Sequence, residues 1–177
     1  MSTTTWNLDA SHSEVGFKVR HLMISNVNGS FGKFTSSITN EGENFETSKV
    51  ILEAEMNSFT TNNEQRDGHI KSADFLDVEQ FPTMKFESSS IVKKDDQLFV
   101  VHGDLTIKGI SKSVDLLVEK SDTAKDPWGQ TKIAFDVTAK INRTDFGLVW
   151  NAPLESGGVL LGEEVKIQAE VQFVLAQ

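Results

Sequence analysis

The stretch GEEVKIQAEVQFVL, residues 162–175, puts Val165, Ile167, Ala169, Val171, Phe173 and Leu175 on one face and Glu164, Lys166, Gln168, Glu170 and Gln172 on the other. A period of two is the mark of a half-buried strand, because successive side chains leave a pleated backbone on opposite sides. The same pattern precedes it, where Ile133, Phe135, Val137, Ala139 and Ile141 alternate with Lys132, Asp136, Thr138 and Lys140. Both runs reach ten residues or more, against about five or six for an ordinary strand. Long strands with one wet and one dry face, at hairpin spacing, predict an antiparallel sheet that curls and closes.

Outward from this pair the alternation continues. Val15, Phe17 and Val19 face away from Glu14, Lys18 and Arg20, and Val50, Leu52, Ala54 and Met56 away from Glu53, Glu55 and Asn57. Met84, Phe86 and Ile91 lead into a polar turn at 93–96. Phe99, Val101, Leu105 and Ile107 follow, then a tight turn at Lys108-Gly109, then Val114, Leu116 and Val118. Gly29 and Gly32 flank Phe31 and predict a bulge or bend. Glu41-Gly42 marks a hairpin turn, and 122–129 a loop with Trp128 near its tip. The Ser/Thr-rich start reads as irregular. About eight strands result: an all-β barrel of the size that either fills with side chains or holds one small ligand.

The alternation stops once, between Arg66 and Pro82. Thr61-Asn62-Asn63-Glu64 reads as a capping box, with Thr61 as the cap and Glu64 reaching back. A short helix then runs to about Lys71, weakened by Gly68. Ser72 caps a further turn through Ala73, Asp74 and Phe75, so the helical insert covers about 62–77. Pro82 biases Phe81 to extended geometry, and a strand resumes with Met84 and Phe86 on one face.

Composition narrows the function classes. A chain of 177 residues with 38% hydrophobic and 24% charged residues reads as one globular domain, 1–177, with one core. Twelve Phe and no Tyr make its aromatic content almost purely apolar. A net charge of −9 disfavours nucleic acid and basic-patch adhesion to anionic bilayers. The absence of Cys removes disulfides, thiolate catalysis and Cys-ligated zinc. No apolar run approaches the ~18 residues of a membrane span. The first residues carry no secretory signal, which points to the cytoplasm; a chain relieved of its signal peptide would read the same and belong to the periplasm.

Chemistry-bearing motifs are absent. His12, His21, His69 and His102 follow no metal-ligand spacing, and no nucleophile elbow or phosphate loop stands between a strand and a helix. No catalytic residue, cofactor or metal is called for. The block Asn142-Arg143-Thr144-Asp145-Phe146-Gly147-Leu148-Val149-Trp150 supports two readings. Arg143 and Asp145 pair and plug one end with the aromatics, or the block is a pocket rim where Arg143 meets a polar head group.

The run RDGHIKSADFLDVEQFP, residues 66–82, resembles the signature of the YceI-like family of lipid-binding, lipocalin-like barrels. So do WNLDASHSEVGFKVRH at the start, GDLTIKGISKSVDLLV in the middle, INRTDFGLVW late and GEEVKIQAEV at the end. In order they span nearly the whole chain. Ile70 and Leu76 depart from the family's usual residues but stay apolar. The resemblance implies a lipocalin-like barrel holding a polyisoprenoid, an isoprenoid quinone or another long-chain amphipathic lipid without enzymatic work, and leaves a homodimer open. On this reading the dry-face candidates for the wall are Phe17, Val19, Phe31, Met84, Phe86, Phe135, Val137, Phe146 and Trp150. The polar candidates are His21, His69 and Arg143, with the insert and the 142–150 block bounding one opening. A ligand-free scaffold barrel, or an enzyme using His69 or His12, are the alternatives.

Overall fold

The 164–175 alternation becomes the longest strand, and both of its edges are paired. The computed structural model describes residues 2–22, 24–155 and 157–177. Its strands are β1 (Thr3–Leu8), β2 (Glu14–His21), β3 (Ser25–Phe31), β4 (Phe34–Glu41), β5 (Lys49–Glu55), β6 (Phe59–Thr60), β7 (Thr83–Lys93), β8 (Leu98–Ile107), β9 (Ile110–Lys120), β10 (Ala124–Lys125), β11 (Thr131–Asn142) and β12 (Leu161–Leu175). One helix, α1 (Glu64–Lys71), lies between β6 and β7.

β12 pairs with β11 from Lys132↔Val174 to Asn142↔Glu164. This sets Phe135 opposite Val171 and Val137 opposite Ala169 on the dry face. Along its other edge β12 carries β2, with Val19 opposite Val165, and then β1, with Leu8 opposite Phe173. β1 and β2 therefore lie end to end as one stave, broken by a 3-10 turn at Ala10–His12. β3 and β4 form a second broken stave at Gly32, and β5 and β6 a third at the 3-10 turn Met56–Ser58. With β7, β8, β9, β11 and β12 this makes eight antiparallel staves, each beside its neighbour in sequence. The sheet is closed, as the patterning predicts.

Several expectations are corrected. The Ser/Thr start is not irregular: Thr3–Leu8 is a strand held between β4 and β12, with Trp6 opposite both Ile38 and Leu175. Its β-branched threonines suit a pleated surface even though their polarity hides the alternation. Gly29 is no bulge. It pairs regularly with Phe17, and a Cβ there would lie 2.3 Å from the Phe17 ring, so the missing side chain lets the ring lie over the backbone. The register irregularities fall instead at Ser88/Ser90 in β7 and between Leu161 and Val165 in β12. The cap of α1 is Asn63, whose Oδ1 accepts from the Arg66 amide at 3.0 Å. Thr61 is buried and serves Asp67 instead: its amide donates to Asp67 Oδ1 at 2.8 Å, and its hydroxyl donates to the same oxygen.

The two ends of the barrel differ. At the end carrying the β4–β5 and β7–β8 connections, a 3-10 turn at Phe45–Thr47 drives Phe45 inward. Its ring meets Phe99 at 4.9 Å and Phe135 at 5.2 Å, and Phe135 meets Phe173 at 5.7 Å. These four rings are all buried and stop that end. On the outer face of β12, Asp9 bonds Ser11, His12 and Lys132, the last at 3.1 Å. This joins the break between β1 and β2 to β11.

The Ser11 hydroxyl above all, with Lys132 and His12, holds the Asp9 carboxyl at about 2 against an ordinary 3.8, although burial pushes the other way. A depressed carboxylate contributes stability above its unfolded value and loses it as pH falls through the folded one. Stability is thus expected to fall between about pH 4 and 2, and Asp9→Asn to flatten that slope in urea titrations at stepped pH. Packing gives a second expectation. A Cβ on Gly103 would lie 2.5 Å from both the Glu87 carbonyl oxygen and the Phe86 ring, whereas one on Gly68 meets nothing within 4 Å. Urea midpoints should show Gly103→Ala destabilising by about 1–3 kcal/mol and Gly68→Ala stabilising by about 0.5–1 kcal/mol.

Candidate functional site

Between the aromatic stop and the opposite end lies a cavity of about 370 Å³. Its wall is made by the dry faces of the staves, so its chemistry follows from the alternation. Phe17, Val19, Phe31, Val137 and Trp150 are only half-buried although they line it, since the void leaves part of each uncovered. Met84, Phe86 and Phe135 also line it and are more fully packed. Phe17 stacks on Phe59 at 4.8 Å, and Phe31 meets Phe59 edge-on at 5.6 Å, forming one aromatic side of the wall.

The insert and the 142–150 block meet at the same end. His69 lies edge-on to Trp150 at 4.7 Å, and Phe75 lies 5.3 Å from Trp150. The turn that makes this contact is local. Asn142 Oδ1 accepts from the Thr144 amide at 3.0 Å, a 3-10 turn runs Arg143–Phe146, and Gly147 takes the left-handed conformation at φ 75°. That reversal sends Leu148 and Trp150 to the cavity. It leaves Phe146 in the core at 1% exposure, away from the lining. Phe146 is the one wall candidate from the sequence that the cavity does not touch.

Arg143 lines the cavity, but not as the partner of Asp145 that the plug reading expects. Among the described residues it has no ion pair with Asp145. Its guanidinium bonds backbone carbonyls instead: Nε to Gly162 at 2.8 Å, Nη1 to Trp150 at 3.0 Å and to Leu148, and Nη2 to Leu161 at 3.5 Å. Burial lowers its pKa and Glu163 partly offsets this. A buried cation is tolerable where carbonyl dipoles converge on it. Arg143 is therefore a clamp that ties the 147–150 segment to the start of β12.

His21 and His69 also line the cavity, and His69 Nε2 lies 3.0 Å from Asp74 Oδ2. His12 pairs with Asp9 and His102 with Asp115, both away from the cavity. Arg66, Phe45 and Phe75 are lining residues that the sequence did not single out. Ile110, the first residue of β9, and Leu22, Ile24, Val149 and Val159, on the connections at the α1 end, remain exposed. Leu22 is held beside the last of them by a 2.8 Å bond from its amide to the Leu160 carbonyl. No helix among the described residues is long and apolar enough to cross a membrane.

With this geometry in view, the relatives can be placed. A family model described as YceI-like domain matches residues 6–173. A UPF0312 protein of Staphylococcus aureus strain N315 is 36% identical over 175 residues, which cover 98% of this chain and 99% of that one. The YceI protein of Campylobacter jejuni superposes with a TM-score of 0.78 at 30% identity, over 96% of each chain. BcnA of Burkholderia cenocepacia gives a TM-score of 0.81 at 20% identity over 93% of this chain and 98% of its own. A polyisoprenoid binding domain from Saccharophagus degradans gives 0.71 at 16% over 97% and 98%. At such identities these last two share the fold.

Replacing Arg143 tests the clamp. Arg143→Lys cannot reproduce the fork and leaves buried carbonyls unpaired, so a loss of roughly 2–4 kcal/mol is expected. In hydrogen exchange the loss should concentrate in residues 147–162, with the aromatic stop at the far end keeping its protection.

Proposed function

The chain belongs to the YceI-like domain family, and we propose that it binds, stores or carries a lipid whose long apolar chain lies inside the barrel. A polyisoprenoid or an isoprenoid quinone fits best. The observation that carries this reading is the cavity: about 370 Å³, apolar along its walls, stopped by aromatic rings at one end and flanked by polar side chains at the other. A prenyl chain needs no hydrogen bonds along its length, and removing it from water is favourable by roughly 25 cal/mol per Å². The void suits a ligand better than it suits a filled scaffold barrel. The Saccharophagus degradans domain, described as polyisoprenoid binding, has the same architecture and supports the same class of cargo. The three His–carboxylate pairs among the described residues are dispersed, and of these only the His69–Asp74 pair borders the cavity, which favours a binding protein over an enzyme.

Native mass spectrometry on protein purified without detergent, with organic extraction, is the direct test. A stoichiometric mass shift traced to a prenyl chain or quinone is expected. A clean apo mass that persists after incubation with polyprenols and quinones would remove the proposal in favour of a ligand-free barrel. Met84 lines the cavity at 9% exposure, so Met84→Trp, which fills space without adding charge, should lower occupancy at least severalfold in a folded protein. Unchanged occupancy would place the ligand elsewhere.

A further inference from the structure

The outward side chains of β9, β11, β12 and β2 are sorted by charge into rows that run across the strands. Glu119 lies opposite Asp136, Asp136 opposite Glu170, and Glu170 opposite Glu14, so four carboxylates stand side by side. Four residues nearer the α1 end, Lys140 lies opposite Lys166 and Lys166 opposite Lys18. A neutral row, Leu117, Thr138, Gln168 and Gly16, runs between them. These acidic and basic residues are all exposed. The two rows are about 13 Å apart at the rise of a strand, and none of their members forms an ion pair among the described residues.

Elsewhere on the outer surface opposite charges are set together. Lys85 lies opposite Glu53, Lys49 Nζ is 2.9 Å from Glu87 Oε1, and His102 pairs with Asp115. Like charges directly opposite one another on a sheet repel, so the segregated rows cost the isolated molecule stability that mixed signs would give it. A surface bearing the inverse pattern offsets that cost.

A second copy of the chain is such a surface. Given a half-turn about an axis along the neutral row, the partner lays its acidic row over this copy's basic row and its basic row over the acidic one. Each strand then faces itself. Asp136 meets the partner's Lys140, Glu170 the partner's Lys166 and Glu14 the partner's Lys18, and symmetry repeats each pair. Leu117, 46% exposed, meets its own copy near one end of the axis, while Thr138 and Gly16 are short enough for the long charged side chains to reach across. An axis along the strands would instead set like rows on like, so the pattern selects one isologous arrangement.

We infer that the outer face of β9, β11, β12 and β2 is a self-complementary interface through which two copies of this chain dimerise. Four strands by five residues span on the order of 300 Å² per copy, against roughly 800 Å² in a standard interface. The dimer is therefore weak and held by charge. It uses the flank of the barrel and is independent of what the cavity holds.

Sedimentation velocity at roughly 10–500 µM protein tests this. In about 20 mM NaCl the wild-type chain should dimerise reversibly, and in about 500 mM at least tenfold more weakly, because salt screens exposed charges. Glu170→Lys and Lys166→Glu should each weaken self-association at least tenfold. Each reversal sets one charge between two opposite ones, Asp136 and Glu14 or Lys140 and Lys18, so urea midpoints should stay level or rise and lost association is not lost folding. An equimolar mixture of the two variants should dimerise within about threefold of wild type, since each then carries the sign the other lacks. A wild type that stays monomeric throughout, association that survives either reversal or high salt, or a mixture that stays monomeric overturns the inference.

Discussion

The backbone ladder of β12 determines what the rest of the molecule can be. A strand whose two edges are both paired leaves no edge for another chain to extend, and it fixes the number of staves that close the ring. Its fifteen residues meet β11 on one side and share the other between β2 and β1. Eight staves set an interior that side chains from opposite walls need not fill. The half-burial of Phe17, Val19 and Val137 on the inward face expresses that geometry. Where the interior does fill, it is because an extra ring comes from outside the regular pattern, as Phe45 does from its turn.

The α1 end shows how the same side-chain type can serve different purposes. Arg143 and Arg66 both border the cavity, and neither has a carboxylate within 4 Å among the described residues. Arg143 is surrounded by carbonyl oxygens from two segments, so its charge is matched by the loop it organises. Arg66 rests on one threonine, with the Asp67 carboxylate engaged by Thr60 and Thr61 behind it. The first arrangement closes a circuit of hydrogen bonds and makes structure. The second engages two of the five guanidinium N–H groups and ties the start of the helix to the segment before it.

Much of this was readable before any coordinates. Period-two runs at β11 and β12 are unambiguous because their polar and apolar faces do not mix. Lys108-Gly109 reads as a tight turn and proves one, with φ 53° and 74° at its two residues. Contact between the insert and the 142–150 block also follows from where the alternation fails. Other features were hidden for definite reasons. β1 carries threonine on both faces, so its pairing shows only once β4 and β12 are in place. Thr61 and Asn63 are equally good caps in isolation, and the choice between them is made by Asp67, which takes Thr61. Phe146, Leu148 and Trp150 lie within one short block, and the left-handed Gly147 decides which of them reach the cavity. Phe45 and Arg66 act through tertiary neighbours that no local spacing reports.

The pairing of Trp6 with Leu175 and Leu8 with Phe173 joins the first strand made to the last. During synthesis at ordinary ribosomal speed, β1 waits roughly ten to thirty seconds for the partner that completes its ladder. Until β12 is made, neither β1 nor β11 can form its ladder with it, so the ring cannot close. The chamber thus has no partial form that grows with the chain. It comes into existence in one event, when the ring shuts, and any cargo meets a finished protein.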